Sequence, residues 1–304
     1  MTWREYTDWA KTRPATLRIA DFLGRGRGRM RWLDGMNPPA RARHTPDLSR
    51  WQDCSVAAVW IGHATILLRI GGLTVLTDPV MFNRVGVGLG LLTGGPRRFV
   101  APALTIRQLP PLDLILISHA HFDHLDRPTL SRLDRRVPVI AAHATSDLIR
   151  DLGFSRVTEL RWGESLTVGA LTVTAREVRH WGARTFYDSH RGFNAYLIEA
   201  SRHRVLYGGD TGFHDLFKDI GRVDLAILGI GGYDPYIQAH ANPEQAWQMA
   251  DHVRAEHVLP MHHSTFRLSY EPIHEPLQRL LSAAGSGRQR IVIREIGQSW
   301  RLAG

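Results

Sequence analysis

One stretch limits what this chain can fold into more than any other: Leu112 to Asp126, reading LDLILISHAHFDHLD. It opens with an apolar run, Leu114 to Ile117, which is too short for an ordinary globular helix and suits a strand buried on both faces. Five ionisable side chains then arrive within eight residues: His119, His121, Asp123, His124 and Asp126. Burying so many imidazoles and carboxylates beyond a core strand is costly unless something pairs them. A metal ion does this, and imidazole with carboxylate suits Zn2+, Mn2+ or Fe. His119 and His121 are two apart, so in an extended segment they point the same way. Asp123 and His124 fall on the turn that follows, aimed at a second ion nearby.

Three more residues of ligand type share one placement. His180 follows the strand run Leu171–Val178, Asp210 follows Arg204–Tyr207, and His262 follows Val258–Met261. Loops at strand ends on a rigid scaffold are where sites are built. Further strands are expected at 56–61, 66–70, 73–77, 137–141, 157–160, 166–168, 193–199, 225–230, 291–296 and 299–302. Helices are expected from Pro128 to Arg136, Ser146 to Leu152 and Pro276 to Ala284, with another starting at Asn242-Pro243-Glu244-Gln245, a cap followed by proline and a capping-box glutamine. Strands dominate the first part and helices recur between later strands, so the pattern is α/β or α+β.

The segments WIGHAT (Trp60–Thr65), LTDP (Leu76–Pro79), GPRRF (Gly95–Phe99), HAHFDH, RHW (Arg179–Trp181), GDTGF (Gly209–Phe213), YDP (Tyr233–Pro235), HANPEQA (His240–Ala246) and MHHSTF (Met261–Phe266) occur in one order. HxHxDH is the signature of the metallo-β-lactamase superfamily. The whole set resembles its N-acylphosphatidylethanolamine-hydrolysing phospholipase D branch, over residues 56 to 302. The resemblance implies a four-layer αββα sandwich and two metal ions, Zn2+ with Mn2+ or Fe as alternatives. His119, His121 and His180 would hold one ion and Asp123, His124 and His262 the other, with Asp210 bridging. The implied reaction is hydrolysis of a phosphodiester, of an N-acyl phosphatidylethanolamine-type lipid, by hydroxide held between the ions.

Asp123 and His240 are the expected catalytic residues. His240 would hydrogen-bond a phosphate oxygen or protonate a leaving group. Asp78 is expected to brace a ligand histidine from behind, and His63 either does the same or is a buried structural histidine. Phe122, Trp181, Tyr233, Leu91, Leu92, Arg97 and Arg98 are expected to meet the substrate. Leu91 and Leu92 lie in an apolar, glycine-rich loop, residues 82 to 100, of the kind that forms lids or Ω-loops. Phe122 stands where the branch commonly has Tyr, which removes a hydroxyl. Alternatives on the same metals are a lactonase or ester hydrolase like the ascorbate-6-phosphate lactonases, or a ribonuclease; a non-hydrolytic alternative is a nucleic-acid-binding protein that uses the basic N-terminus. The commonest class B β-lactamases place a cysteine near the Asp210 position, whereas the single cysteine here, Cys54, precedes the first motif.

That lone cysteine excludes an intrachain disulfide and fits a reducing compartment. No run approaches a membrane span in length, and the N-terminus lacks the apolar core of a signal peptide. The expected location is cytoplasmic, with peripheral contact at the inner face of the membrane. The net charge is +9. Met1–Arg50 holds eleven Lys/Arg against five Asp/Glu, so +6 of that excess lies there. The expected organisation is a basic extension, residues 1–50, and a hydrolase domain, residues 51–304. The extension would meet an anionic membrane or stay solvated. No nucleic-acid partner is expected, and a homo-oligomer is compatible with the sequence.

Overall fold

The computed structural model describes residues 38 to 302 apart from 90, 91 and 186, and gives the backbone alone at 88, 89 and 92. The chain divides into two units, Met1–Pro38 and Pro39–Gly304, of which the second is described. Expectations for residues 1 to 37 and for Leu91 lie outside the described residues. The second unit, Pro39–Gly304, carries all the strands and helices described below. Ala40 is stitched into the unit: its N–H donates to Phe99 O at 2.8 Å and its carbonyl accepts from Ala101 N at 2.7 Å.

The strands are β1 (Val56–Gly62), β2 (Thr65–Ile70), β3 (Leu73–Thr77), β4 (Val87–Leu89), β5 (Leu92–Gly94), β6 (Leu114–Ile117), β7 (Val139–Ala142), β8 (Val157–Leu160), β9 (Ser165–Val168), β10 (Leu171–Arg176), β11 (Ala195–Ala200), β12 (His203–Tyr207), β13 (Leu225–Gly229), β14 (His257–Met261) and β15 (Ser299–Arg301). The helices are α1 (Arg127–Leu130), α2 (Asp147–Arg150), α3 (Pro243–His252) and α4 (Glu275–Ala284). One sheet has the order β15-β1-β2-β3-β6-β7-β8, the other β14-β13-β12-β11-β10-β9, and β4 pairs with β5 in a separate hairpin.

Strand alternation builds three apolar layers. Ala58 and Trp60 of β1, Ile66 and Leu68 of β2, Val173 of β10, Ile198 of β11, Ile227 of β13 and Leu259 of β14 fill the space between the sheets. Their sequence neighbours face outward. Val59, Leu67 and Ile115 pack with Leu130 of α1 and Ile149 of α2. Leu197, Leu206 and Ala226 pack with Met249 of α3 and Leu280 of α4. This is the αββα sandwich.

Two expected elements are cut short by side chains that take backbone partners. The helix from Pro128 ends at Leu130 because the chain then turns, and Asp134 accepts the N–H of Arg136 at 3.0 Å. The strand expected at 291–296 reduces to a single bridge between Val258 and Ile291. There, Gln298 Oε1 accepts the N–H groups of Arg294 and Glu295 instead. The α3 start behaves as expected: Asn242 caps Gln245 N at 2.9 Å, and Gln245 answers with a bond back to Asn242 N.

Candidate metal centre

Strand direction collects the site. In the first sheet β1 and β3 are both antiparallel to β2, and β6 is parallel to β3. The C-terminal ends of β1, β3 and β6 therefore lie together and deliver His63, Asp78 and His119. In the second sheet β12, β13 and β14 are parallel, and β10 runs with them because both β10 and β12 are antiparallel to β11. Their ends lead to His180, Asp210, His240 and His262. Among the described residues, four of the seven non-glycine residues with positive φ sit here: His63, Asp78, His262 and Ser264. Such backbone costs about 1–3 kcal/mol per residue and collects at functional sites.

The structure brings all seven expected ligands together in two groups of donor atoms. His119, His121, His180 and Asp210 form one group, and His124, Asp123 and His262, joined by His63, form the other. Asp210 Oδ2 lies between them, 3.0 Å from His124 Nε2, 3.2 Å from His262 Nε2, 3.8 Å from His180 Nε2 and 3.9 Å from His119 Nε2. His121 Nδ1 is 2.8 Å from His119 Nε2 and 3.3 Å from His180 Nε2.

Whether these residues fit a metal is decided by their outward-facing atoms. His124 Nδ1 donates to Asp78 Oδ2 at 2.6 Å. His180 Nδ1 donates to Ala239 O at 3.0 Å, and His262 Nδ1 faces Gly231 O at 3.3 Å. His119 Nδ1 meets Ser118 Oγ at 2.9 Å, and that hydroxyl donates to Asp78. With Nδ1 so engaged, each Nε2 turns a lone pair inward. His124 Nε2, His262 Nε2 and Asp210 Oδ1 are buried with no hydrogen-bond partner. Four-coordinate ions with bonds near 2.0–2.1 Å separate their ligand atoms by roughly 3.3 Å, close to the 3.4 and 3.5 Å from Asp123 Oδ2 to His262 and His124. The donor set fits a pair of divalent cations.

Charge in the site agrees. Burial pushes the imidazoles down: His180 and His240 to about 3 and His121 to about 4. Burial also opposes the charge on His124 and His262, yet Asp210 and Asp123 override it, lifting His124 well above its ordinary value and His262 to about 9. Burial works against Asp123 and Asp210 too, but His124 beside both carboxylates holds them well below the usual range. Protons thus occupy the places the carboxylates reserve for cations.

Other expected residues fall in varied places. His240 faces the centre, its Nδ1 3.8 Å from Asp210 Oδ2. Trp181 packs against His180, His121 and His240 at 4.4, 4.8 and 5.9 Å between ring centroids. Phe122 has one face covered by the Arg184 guanidinium at 3.9 Å and packs against the cluster of Val80, Val85 and Phe266. Tyr233, expected to meet the substrate, donates its hydroxyl to Glu275 at 2.7 Å. The expectation for Arg98 is corrected: it is 2% exposed, donates to Val80 O at 3.0 Å and lies over Phe266. Arg97 is half-buried and bridges Arg84 at the base of the β4–β5 hairpin. Leu92 lies in β5, and its side chain is outside the described ones.

Sequence reasoning missed Ser118, Tyr207, Tyr236 and Arg184. Tyr207 donates to Asp78 Oδ2, Tyr236 packs near Trp181, and Arg184 donates to Ala120 O and Leu125 O at 2.7 and 2.8 Å. Only Ser118 carried a signal, its position between the buried strand and the first ligand.

Residues 74–263, more than half of the chain, match the family model described as a beta-lactamase superfamily domain. An uncharacterized Mycobacterium tuberculosis protein, Rv0906, is 34% identical over 252 residues, 79% of this chain and 67% of that protein. N-acyl-phosphatidylethanolamine-hydrolyzing phospholipase D 1 of Caenorhabditis elegans is 30% identical over 272 residues, covering 81% of this chain and 76% of that one. Among solved structures, Igni18, a metallo hydrolase from Ignicoccus hospitalis, superposes with a TM-score of 0.59 at 22% identity, covering 82% of this chain and 99% of that chain. The chain belongs to the metallo-β-lactamase superfamily. Within it, this is a metal-dependent hydrolase with a candidate binuclear centre. Among the described residues no helix is long and apolar enough to cross a membrane.

Proposed function

We propose that the centre holds two ions, most readily Zn2+, and hydrolyses a phosphodiester of the N-acyl phosphatidylethanolamine type. His119, His121 and His180 would hold one ion, Asp123, His124 and His262 the other, and Asp210 both. When bound, such a pair makes water a nucleophile near neutral pH and offsets the charge that builds on phosphoryl oxygens.

The chain's own residues account for the rest. Asp123 and Asp210 supply the negative charge that keeps the ions in place. Burial keeps His240 uncharged, and Asp210 only partly opposes this, so its ring serves as a neutral hydrogen-bond donor toward a phosphate oxygen. Trp181 closes one side of the centre and excludes water. Val85, at the base of the β4–β5 hairpin, shares an apolar cluster with Phe122 of the ligand loop. The hairpin therefore rises beside the ligands, with Val87 exposed, and offers an apolar wall for acyl chains. Its base depends on two glycines: a Cβ at Gly86 would meet Gly94 O at 2.1 Å, and one at Gly95 would meet Val85 O at 2.1 Å.

The observation that carries the reading is His240 beside Asp210, inside the motif HANPEQA that resembles the phospholipase D branch. The named C. elegans relative supports the same substrate class. The test is metal analysis of purified protein, then a panel of vesicle-borne N-acyl phosphatidylethanolamine, a small water-soluble phosphodiester, a lactone and RNA. Cleavage of both phosphodiesters is expected, with the lipid preferred. Turnover of the lactone alone would assign the centre to ester hydrolysis, and turnover of RNA alone to nuclease chemistry.

A further inference from the structure

We propose that His63 is a positioning residue for the second ion site, holding Asp123 and His262 at once. The inference rests on the binuclear reading above and concerns a residue outside the seven ligands.

His63 sits in the turn between β1 and β2, with φ of 142° at Gly62 and 53° at His63 itself. A bulky residue in the left-handed region persists only where its surroundings hold it there. Three backbone bonds do so. Its N–H donates to Thr265 Oγ1 at 2.8 Å, and its carbonyl accepts from Trp60 Nε1 at 2.8 Å and from His262 N at 3.2 Å. The carbonyl thus grips the backbone of one donor of the second site.

The imidazole grips another. His63 Nε2 lies 2.9 Å from Asp123 Oδ2, and its Nδ1 is buried without a partner. The ring has no other polar engagement among the described residues, and it is wedged between His262, 4.1 Å away, and Phe266, 5.1 Å away. The ring nitrogens separate two roles. His119, His124, His180 and His262 engage Nδ1 and turn Nε2 inward as a donor to an ion. His63 Nδ1 has no partner, so its ring proton stays on Nε2 and is donated to Asp123 at 2.9 Å, which orients the carboxylate. Asp123 follows Phe122 in a loop; His262 and His124 stand 3.4 and 3.5 Å from its Oδ2, and His63, at 2.9 Å, is nearer than either.

The test is Co2+ binding to the full-length metal-free protein by chelator competition, with the visible spectrum reporting each site. Wild type is compared with His63→Leu and His63→Gln, and the melting point of each metal-free form is recorded. Two ions in wild type uphold the binuclear reading; one ion overturns it and this proposal with it. Given two, His63→Leu is expected to weaken the second ion 10- to 100-fold, the usual effect of losing such a partner, with the first ion unchanged. His63→Gln keeps an N–H donor and is expected to recover most of that loss. Equal loss in both variants would make His63 a ligand and overturn the proposal. A lowered melting point with wild-type Co2+ affinity would assign it to structure alone, which also overturns it. If His63→Leu does not fold, the Gln variant decides: wild-type affinity supports the proposal, and loss of the second ion refutes it.

Discussion

The hydroxyl of Tyr207 donates to Asp78 Oδ2 at 2.6 Å, joining the two sheets directly beneath the metal centre. Tyr207 ends β12 in one sheet and Asp78 follows β3 in the other, and both are fully buried. The same Asp78 carboxylate takes His124 Nδ1 and the hydroxyl and N–H of Ser118. A hydrogen bond to a charged group is worth about 1.5–3 kcal/mol, so Tyr207→Phe should lose stability of that order in chemical denaturation. Asp78→Asn should act on the ions instead: it weakens the acceptor for His124, and affinity should fall about 10- to 100-fold. Unchanged metal affinity in Asp78→Asn would dissociate the sheet junction from the centre.

Among the described residues, Asp210 Oδ2 is the one carboxylate oxygen within 4 Å of four ligand histidines. Asp210→Asn removes the negative charge shared by the two groups and should reduce the bound metal below two ions per chain, with most of the activity lost. Elemental analysis after gel filtration checks this. Full metal content with full activity in that variant would place the bridge elsewhere.

His240 should separate from the ligands. His240→Ala is expected to lower turnover by about 100-fold, the usual scale for losing one hydrogen-bond donor to the charge that develops on a reacting oxygen, with metal content unchanged. Gly232 provides a second handle. Its φ is +88°, and a Cβ there would meet His240 Nδ1 at 2.9 Å. Gly232→Ala should push the ring aside and mimic part of the His240→Ala defect, measured as kcat on a water-soluble phosphodiester. Wild-type kcat in both variants would assign His240 to structure.

How much of this was readable beforehand depends on the range of the interaction. The ligand loop was legible because it is local: a buried strand, then His119, His121, Asp123 and His124 within six positions. His180, Asp210 and His262 were legible because each follows a strand run. The αββα layering came from the family resemblance, since alternation in β10 or β12 says which faces are apolar but not which sheet covers them. Tyr207 and Arg184 were invisible because their partners lie far off in the chain and a buried Tyr or a loop Arg has no pattern of its own. Arg98 was misread because Arg97-Arg98 looks like a phosphate clamp, whereas the bridge from Arg98 to Phe266 turns its side chain into the core. The strand expected at 291–296 failed on one side chain, Gln298, whose capture of two N–H groups a propensity cannot register.

Glu159 makes a prediction about pH away from the centre. Burial opposes its charge, but the Ser146, Ala144 and Thr145 groups that donate to it hold the carboxyl down at about 2. A depressed carboxyl stabilises the fold above its unfolded value, near 4.3, and that contribution is lost as pH falls through the folded value. Glu159→Gln should therefore be less stable than wild type at pH 7, by about 1 kcal/mol for a partly exposed group. The difference should shrink as pH drops from about 4.3 toward 2. Urea titrations at three pH values check it, and a gap that widens in acid would refute the sign.

Arg184 makes the last prediction, and it concerns the ligand loop itself. One guanidinium nitrogen donates to both Ala120 O and Leu125 O, the carbonyls on either side of His121 to His124, while its plane covers Phe122. The arginine follows Trp181 by three residues, so it ties the loop carrying His180 to the loop carrying the other ligands. Lysine can reach one carbonyl but lacks the flat fork that stacks on an aromatic ring. Arg184→Ala should leave two carbonyls without their donor, at about 1–3 kcal/mol each in desolvation where they stay buried. It should also speed metal release to a chelator, because both ligand loops loosen. Arg184→Lys should fall between the two. Stopped-flow release of Co2+ and chemical denaturation read the two effects separately. If stability drops while release stays at the wild-type rate, Arg184 supports the fold without supporting the centre. If release quickens in proportion across wild type, Lys and Ala, the clamp on the ligand loop is the physical link between the Trp181 wall and the metal donors.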